Sequence, residues 1–505
     1  MTHPQSPKPG KPFEGAFAIQ DEIAAAARSA GAVAAQTRTV GVEIDEGWQR
    51  ERLRQIADRR SGGDFAGRDR LAIPVTEVRA RRRVVLSADN VLVYTEDYVA
   101  GSVGHLQALP DLVDRLAADL QLGRPDVRLA DTKSVFDPAE LDRSGLFKGR
   151  LLQIAFPDRT GRPDPDDQRG EALLQVVDVL HENGFAASLD HVVPLNIVMK
   201  IRGGVRKSGD SIPSPADLGT DPEVIVAIVD TGVETTHRID EWLRGVEDKP
   251  TIDQDGVVVP PTNADPLDRY PLGAPDLQLD FGAGHGTFVS GIVQQISPET
   301  TVLMYRAIDS DGIGSEVEVA LNMIEAAIAG ATVINLSLGT DTLDNQAPLA
   351  LGLAMRILQV DHAEVVVVAT AGNAGSVLPT WPSALPGVVS VGALEANGQP
   401  APWSNRGPWL SFSTIGQGVL STFVPGQQPD DGYGPADFFD DAHLWGVGTG
   451  TSFAAPQISG AIARLLHTRE ATTAKDAVLH LKRAGRPFRN FGHLLEILPG
   501  TPPAP

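Results

Sequence analysis

Val224-Ile225-Val226-Ala227-Ile228-Val229-Asp230-Thr231-Gly232 decides the fold of this chain. The residues before the Asp are all apolar and mostly β-branched, without the alternation of a half-exposed strand. They read as a central strand of a parallel sheet, buried on both faces. In such sheets functional groups gather at the carboxyl ends of the strands, and Asp230 stands at that end, before a turn at Gly232. Working outward, strand-like runs recur at 301–308, 333–338, 365–370 and 388–391, with helix-like runs at 286–295, 316–329 and 347–360. This alternation predicts an α/β fold with a doubly wound, mostly parallel sheet covered on both faces. Residues 409–424 are expected to add β structure, and Ser452 to open the last long helix.

Two further stretches carry chemistry. Gly284-His285-Gly286-Thr287-Phe288-Val289-Ser290-Gly291 sets a His among small residues at the start of an apolar helix. Gly450-Thr451-Ser452-Phe453-Ala454-Ala455-Pro456 displays a Ser at a tight turn into another, where unpaired N–H groups favour developing negative charge. Read singly, His285 is a capping residue and Ser452 an ordinary N-cap. Together, in the order Asp, His, Ser, they match one of the convergent triad arrangements, that of subtilisin. The chain therefore resembles the subtilisin-like (subtilase) serine peptidases, through Asp230-Thr231-Gly232, His285-Gly286-Thr287, Ala371-Gly372-Asn373 and Gly450-Thr451-Ser452 with Ala454 and Pro456. The resemblance covers roughly residues 222–498.

It implies Ser452 as nucleophile, His285 as general acid and base, Asp230 as orienter, and Asn373 as oxyanion donor beside the Ser452 N–H. It also implies strand-addition binding of a polypeptide substrate, along Ser337-Leu338-Gly339 on one wall and Gly312-Ile313-Gly314 on the other. The loop 373–382, with Val377, Leu378 and Trp381 and no carboxylate of its own, predicts selectivity for an uncharged residue before the scissile bond. Four places depart from the family pattern. Phe288 stands where a second His is common, Phe453 and Gln457 replace a Met and a His, and 414–418 stands for the usual Ala-Pro-Gly. No cofactor is obligatory. A structural calcium at Asp253-Gln254-Asp255-Gly256 is conceivable, but the stretch lacks the downstream Glu of an EF-hand loop and reads better as a hairpin turn. The acidic insertion 426–442, with Asp430, Asp431, Asp437, Asp440 and Asp441, is either a solvated loop or a docking flap.

The 505 residues are enough for two or more domains. A formal charge of -22 argues against nucleic acid as a partner, and the lack of Cys excludes disulfides and a thiol nucleophile. The polar, Pro-rich start has no export-signal pattern and no run is long enough for a membrane helix, so a cytoplasmic setting without membrane partners is expected. The expected organisation is a tail at 1–15, an N-terminal α/β region at 16–202, a Gly- and Pro-rich linker at 203–222, a catalytic domain at 223–498 and a tail at 499–505. Helices are expected at 16–35, 109–122 and 171–183, and strands at 82–94, 148–156 and 196–201. Family members often carry an inhibitory α/β prosegment ahead of the catalytic domain, so the N-terminal region is expected to be either that or a docking site for a regulatory partner. The function expected is that of an intracellular serine endopeptidase. A catalytically silent scaffold is the alternative, and ester hydrolysis a conceivable side activity.

Overall fold

The computed structural model describes residues between Thr76 and Thr501, apart from several segments, the longest being 130–148, 157–167, 196–204, 260–278 and 429–436. The expected helix at 16–35, the strand at 196–201, Asp253–Gly256, Asp430 and Asp431 lie outside the described residues.

An N-terminal unit comes first. Its strands are β1 (Thr76–Ala80), β2 (Arg83–Glu96), β3 (Asp126–Leu129), β4 (Gly149–Ala155) and β5 (Ala186–Pro194). They form an antiparallel sheet in the order β5-β2-β4-β3, with β1 on β2. Helices α1 (Ser102–Asp119) and α2 (Gln168–Glu182) cover it. Leu109, Val113 and Ala117 recur at one helical spacing, as do Leu173, Val176 and Leu180, and both stripes are buried with Val91, Val93 and Ile154 of the sheet. Helix α1 starts earlier than the expected 109–122, and the last strand of the unit is 186–194, a run that pattern reading passed over.

The second unit is built on a nine-stranded sheet. In chain order it contributes β6 (Arg206–Lys207), β7 (Asp221–Asp230), β8 (Val246–Asp248), β9 (Thr251–Ile252), β10 (Val258–Val259), α3 (His285–Ile296), β11 (Thr300–Arg306), β12 (Ile313–Ser315) and α4 (Glu316–Ile328). There follow β13 (Val333–Leu336), α5 (Leu349–Asp361), β14 (Val366–Thr370), β15 (Val389–Leu394), β16 (Phe412–Ile415), β17 (Val419–Thr422), β18 (Gly426–Gln427), β19 (Phe438–Phe439) and β20 (Trp445–Gly448). A 3₁₀ turn, Thr451–Phe453, leads into α6 (Ala455–His467), α7 (Ala474–Ala484), β21 (Arg486–Phe488) and β22 (Gly492–Leu494). The sheet order is β21-β22-β16-β15-β14-β13-β7-β11-β8, and every pairing except the β21–β22 edge is parallel. One apolar cluster lies between the sheet and α4 and α5, and a second between the sheet and α3 and α6. The chain is therefore α/β and doubly wound, and β7 sits between β13 and β11 with Val226–Val229 fully buried.

Two features join the units. Strand β12 pairs antiparallel with β5, with Gly314 opposite Val193, so it is a strand of the N-terminal sheet although in sequence it belongs to the second unit. The stretch expected to be linker is partly structured: β6 pairs with β20, Lys207 Nζ lies 2.8 Å from Asp440 Oδ2, and β7 already starts at Asp221.

Candidate active site

Asp230 ends β7 and His285 begins α3. Nδ1 of His285 donates to Oδ1 of Asp230 at 2.7 Å, with both side chains buried. That same oxygen accepts from the Thr231 backbone N–H at 2.8 Å. The hydroxyl of Thr231 in turn accepts from Gly286 N–H at 2.9 Å, and Thr287 Oγ1 accepts from Glu234 N–H at 2.9 Å. The threonines of the two motifs thus lock the strand end to the helix start. Gly286 is required for that closeness, because a Cβ there would stand 2.1 Å from the Gly232 carbonyl oxygen. Because Asp230 holds the Nδ1 proton, neutral His285 presents Nε2 as an acceptor, and among the described residues Nε2 has no hydrogen-bond partner.

Ser452 lies in the 3₁₀ turn before α6 rather than in the long helix itself. Its Oγ donates to the Ser337 carbonyl at 3.1 Å, while Ser337 Oγ donates to the Ser452 carbonyl at 2.9 Å. Ser337 is held by Asn335, whose Nδ2 donates to its hydroxyl at 3.0 Å, and Asn335 Oδ1 accepts from Ser459 of α6 at 2.9 Å. A buried polar chain from β13 to α6 therefore fixes the turn that carries Ser452. Ser337 was legible only as a wall of the cleft, and its tie to the nucleophile had no sequence signal.

Asn373 follows β14. Its Oδ1 accepts from both the N–H and the hydroxyl of Thr451, each at 2.9 Å. The orientation of the amide is thereby set, with Nδ2 as its donor end. The loop that follows is held by Asn405, whose Oδ1 accepts from Ala374 N–H and Ser376 N–H at 3.0 and 2.8 Å. At Gly372, φ is 98° and a Cβ would stand 2.5 Å from Asn405 Nδ2, so no other residue fits. The far end of the loop pairs with the opposite wall, Thr340 with Trp381. There a carboxylate of the opposite wall borders the loop, a neighbour that the expectation of an uncharged preference left out: Thr380 Oγ1 donates to Asp341 Oδ1 at 3.5 Å.

The departures from the family pattern compensate one another. Phe288 and Phe453 pack together with ring centroids 4.4 Å apart, and Phe453 lies 5.7 Å from the ring of His285. Gln457 donates to the Ile415 and Phe453 carbonyls and accepts from Leu498 N–H, tying 414–418 and the C-terminal stretch to α6.

Both expected substrate edges are occupied by the N-terminal unit. Leu195 N–H donates to the Gly312 carbonyl at 2.9 Å, and Gly339 N–H donates to the Pro194 carbonyl at 3.1 Å. Leu195 also forms a bridge with Leu338.

Comparison with known proteins gives the family. The profile of the Subtilase family matches residues 221–485. A thermophilic serine proteinase of Bacillus sp. (strain AK1) is 30% identical over 254 residues, which is 48% of this chain and 51% of that protein. Thermitase of Thermoactinomyces vulgaris is 28% identical over 278 residues, 53% of this chain and 83% of that protein. The chain thus spans about half the length of the Bacillus relative. Among solved structures, a lanthipeptide protease is 24% identical over 55% of this chain and 86% of its own, with a TM-score of 0.42.

Proposed function

Because the chain belongs to the subtilase family, we propose that it is a serine endopeptidase in which Asp230, His285 and Ser452 act as the triad. The observation that carries the reading is the 2.7 Å bond from His285 Nδ1 to Asp230, which leaves Nε2 as an acceptor, while Phe453, the residue after Ser452, packs with its ring 5.7 Å from that of His285. In the reaction His285 Nε2 takes the Ser452 hydroxyl proton as Oγ attacks the substrate carbonyl carbon. Asp230 stabilises the imidazolium. The oxyanion accepts from Asn373 Nδ2 and the Ser452 N–H, and the leaving amine takes the proton back from His285. Water then resolves the acyl-enzyme by the same steps. A purified Ser452→Ala chain that still cleaved casein would refute the reading.

The setting proposed is cytoplasmic, testable by fractionating the source cells. Within the cleft, the N-terminal unit is read as a prosegment, supported by the backbone bonds of Pro194 and Leu195 to Gly339 and Gly312. A substrate would use those same edges. The chain returns at β6, paired with the strand that leads to Ser452, so self-cleavage is proposed within 196–204, upstream of most of the expected linker. Mass spectrometry of wild-type and Ser452→Ala protein tests this, the wild type alone being cut there.

A further inference from the structure

Where β5 meets α4, three ionisable side chains are buried together. Asp190 and Glu316 are fully buried, and His191 is 6% exposed. The Glu316 side chain faces the N-terminal unit from the first position of α4. Its Oε1 accepts from the His191 N–H and lies against His191 Nδ1, both at 2.9 Å, and its Oε2 accepts from the Ala350 N–H at the start of α5, also at 2.9 Å. Asp190 Oδ2 accepts from Gln153 Nε2 of β4 at 2.9 Å and Asn90 Nδ2 of β2 at 3.5 Å, while Oδ1 has no partner among the described residues. Two carboxylates and one imidazole thus share a buried interface. Among the described residues, a pair of ionised carboxylates there has only His191 as a cation to offset it.

We propose that Asp190, Glu316 and His191 form a proton-held latch, which keeps the N-terminal unit seated across the active-site cleft at acid pH and releases it as pH rises. The latch rests on reading Pro194 and Leu195 as occupants of the substrate edges, four and five residues beyond Asp190 on the same chain. Among the described residues, the charged groups acting on Asp190 are Glu316 from α4 and its neighbour His191, and the amides are Gln153 and Asn90. Burial first, and Glu316 second, push the Asp190 carboxyl up to about 7. When the interface opens to water, Asp190 returns to the ordinary carboxylate range near 4 and sheds its proton. Docking is therefore coupled to uptake of one proton. The proton's contribution is complete below about pH 4, falls about tenfold per pH unit between there and about 7, and is gone above that.

The test uses the full chain carrying Ser452→Ala, so that no self-cleavage intervenes. Hydrogen exchange is measured from pH 5 to 8.5 at the Leu195 and Gly339 amides, which bond across the two units, relative to Val368 in the core strand β14. The relative protection is expected to fall by about tenfold or more from pH 5.5 to 7 and then level off. Adding Asp190→Asn should remove that dependence and leave the amides protected at pH 8. Protection that is flat in the Ser452→Ala chain, or falls equally with Asp190→Asn, overturns the latch. Should Asp190→Asn disrupt the N-terminal sheet, the side-chain carboxyl resonance of Asp190 in the Ser452→Ala chain decides. A midpoint near 7 supports the proposal, and one near 4 overturns it. Both readouts use inactive protein, so a chain that cleaves no peptide leaves the latch intact, and a failed latch leaves the peptidase reading intact.

Discussion

Each candidate side chain in the cleft is held by a neighbour whose identity matters as much as its own. Ser452→Ala and His285→Ala should each abolish peptide hydrolysis, which in subtilisin costs about a millionfold in turnover. Circular dichroism of both variants should match the wild type. Asn373→Ala should lower kcat by roughly a hundred- to a thousandfold with little change in KM, because its amide matters once the oxyanion exists. A KM effect at constant kcat would make it a substrate-binding residue. Asp341 gives a narrower prediction. An exposed carboxylate at the end of the 373–382 loop should favour Lys or Arg before the scissile bond modestly, about tenfold or less. Asp341→Asn should then lower kcat/KM for a peptide ester with Arg at that position and leave a Leu ester unchanged.

At the level of elements, what was legible follows from what local pattern can carry. The strands β7, β11, β13 and β14 are largely apolar runs, and Asp230 and His285 sit at the end of such a strand and at the start of α3. Strand β5, Ala186–Pro194, was passed over because Asp190 and His191 interrupt its apolar pattern. Their partners, Gln153 and Glu316, lie far away in sequence, so nothing local says that those polar groups are buried. The 206–207 pairing was hidden for a related reason, since β6 is only two residues long and gains its order from β20. Helix ends, by contrast, are local. Thr473 caps α7 by accepting from the Asp476 N–H at 3.1 Å. Thr473→Ala should therefore cost about 1 kcal/mol in urea unfolding without altering peptidase activity. Phe453→Ala should be far more damaging, about 3 to 5 kcal/mol, because it leaves a void between Phe288 and the His285 ring.

For the molecule as a whole, the strand that completes the N-terminal sheet is also the edge proposed to bind substrate, and on that proposal β12 cannot serve β5 and a substrate at the same time. The two compete on unequal terms. A segment tethered on the same chain is present at an effective concentration of about millimolar, whatever the protein concentration, whereas a free substrate arrives at its own. Dilution does nothing to the uncut chain. Once the tether is cut, the N-terminal unit becomes an ordinary ligand, and its hold depends on how much of it is in solution. Activity of the cut protein should then rise on dilution, and refilling the cleft should require adding the N-terminal piece back. The same backbone bonds would thus make a lock in one covalent state and a concentration-dependent inhibitor in the other.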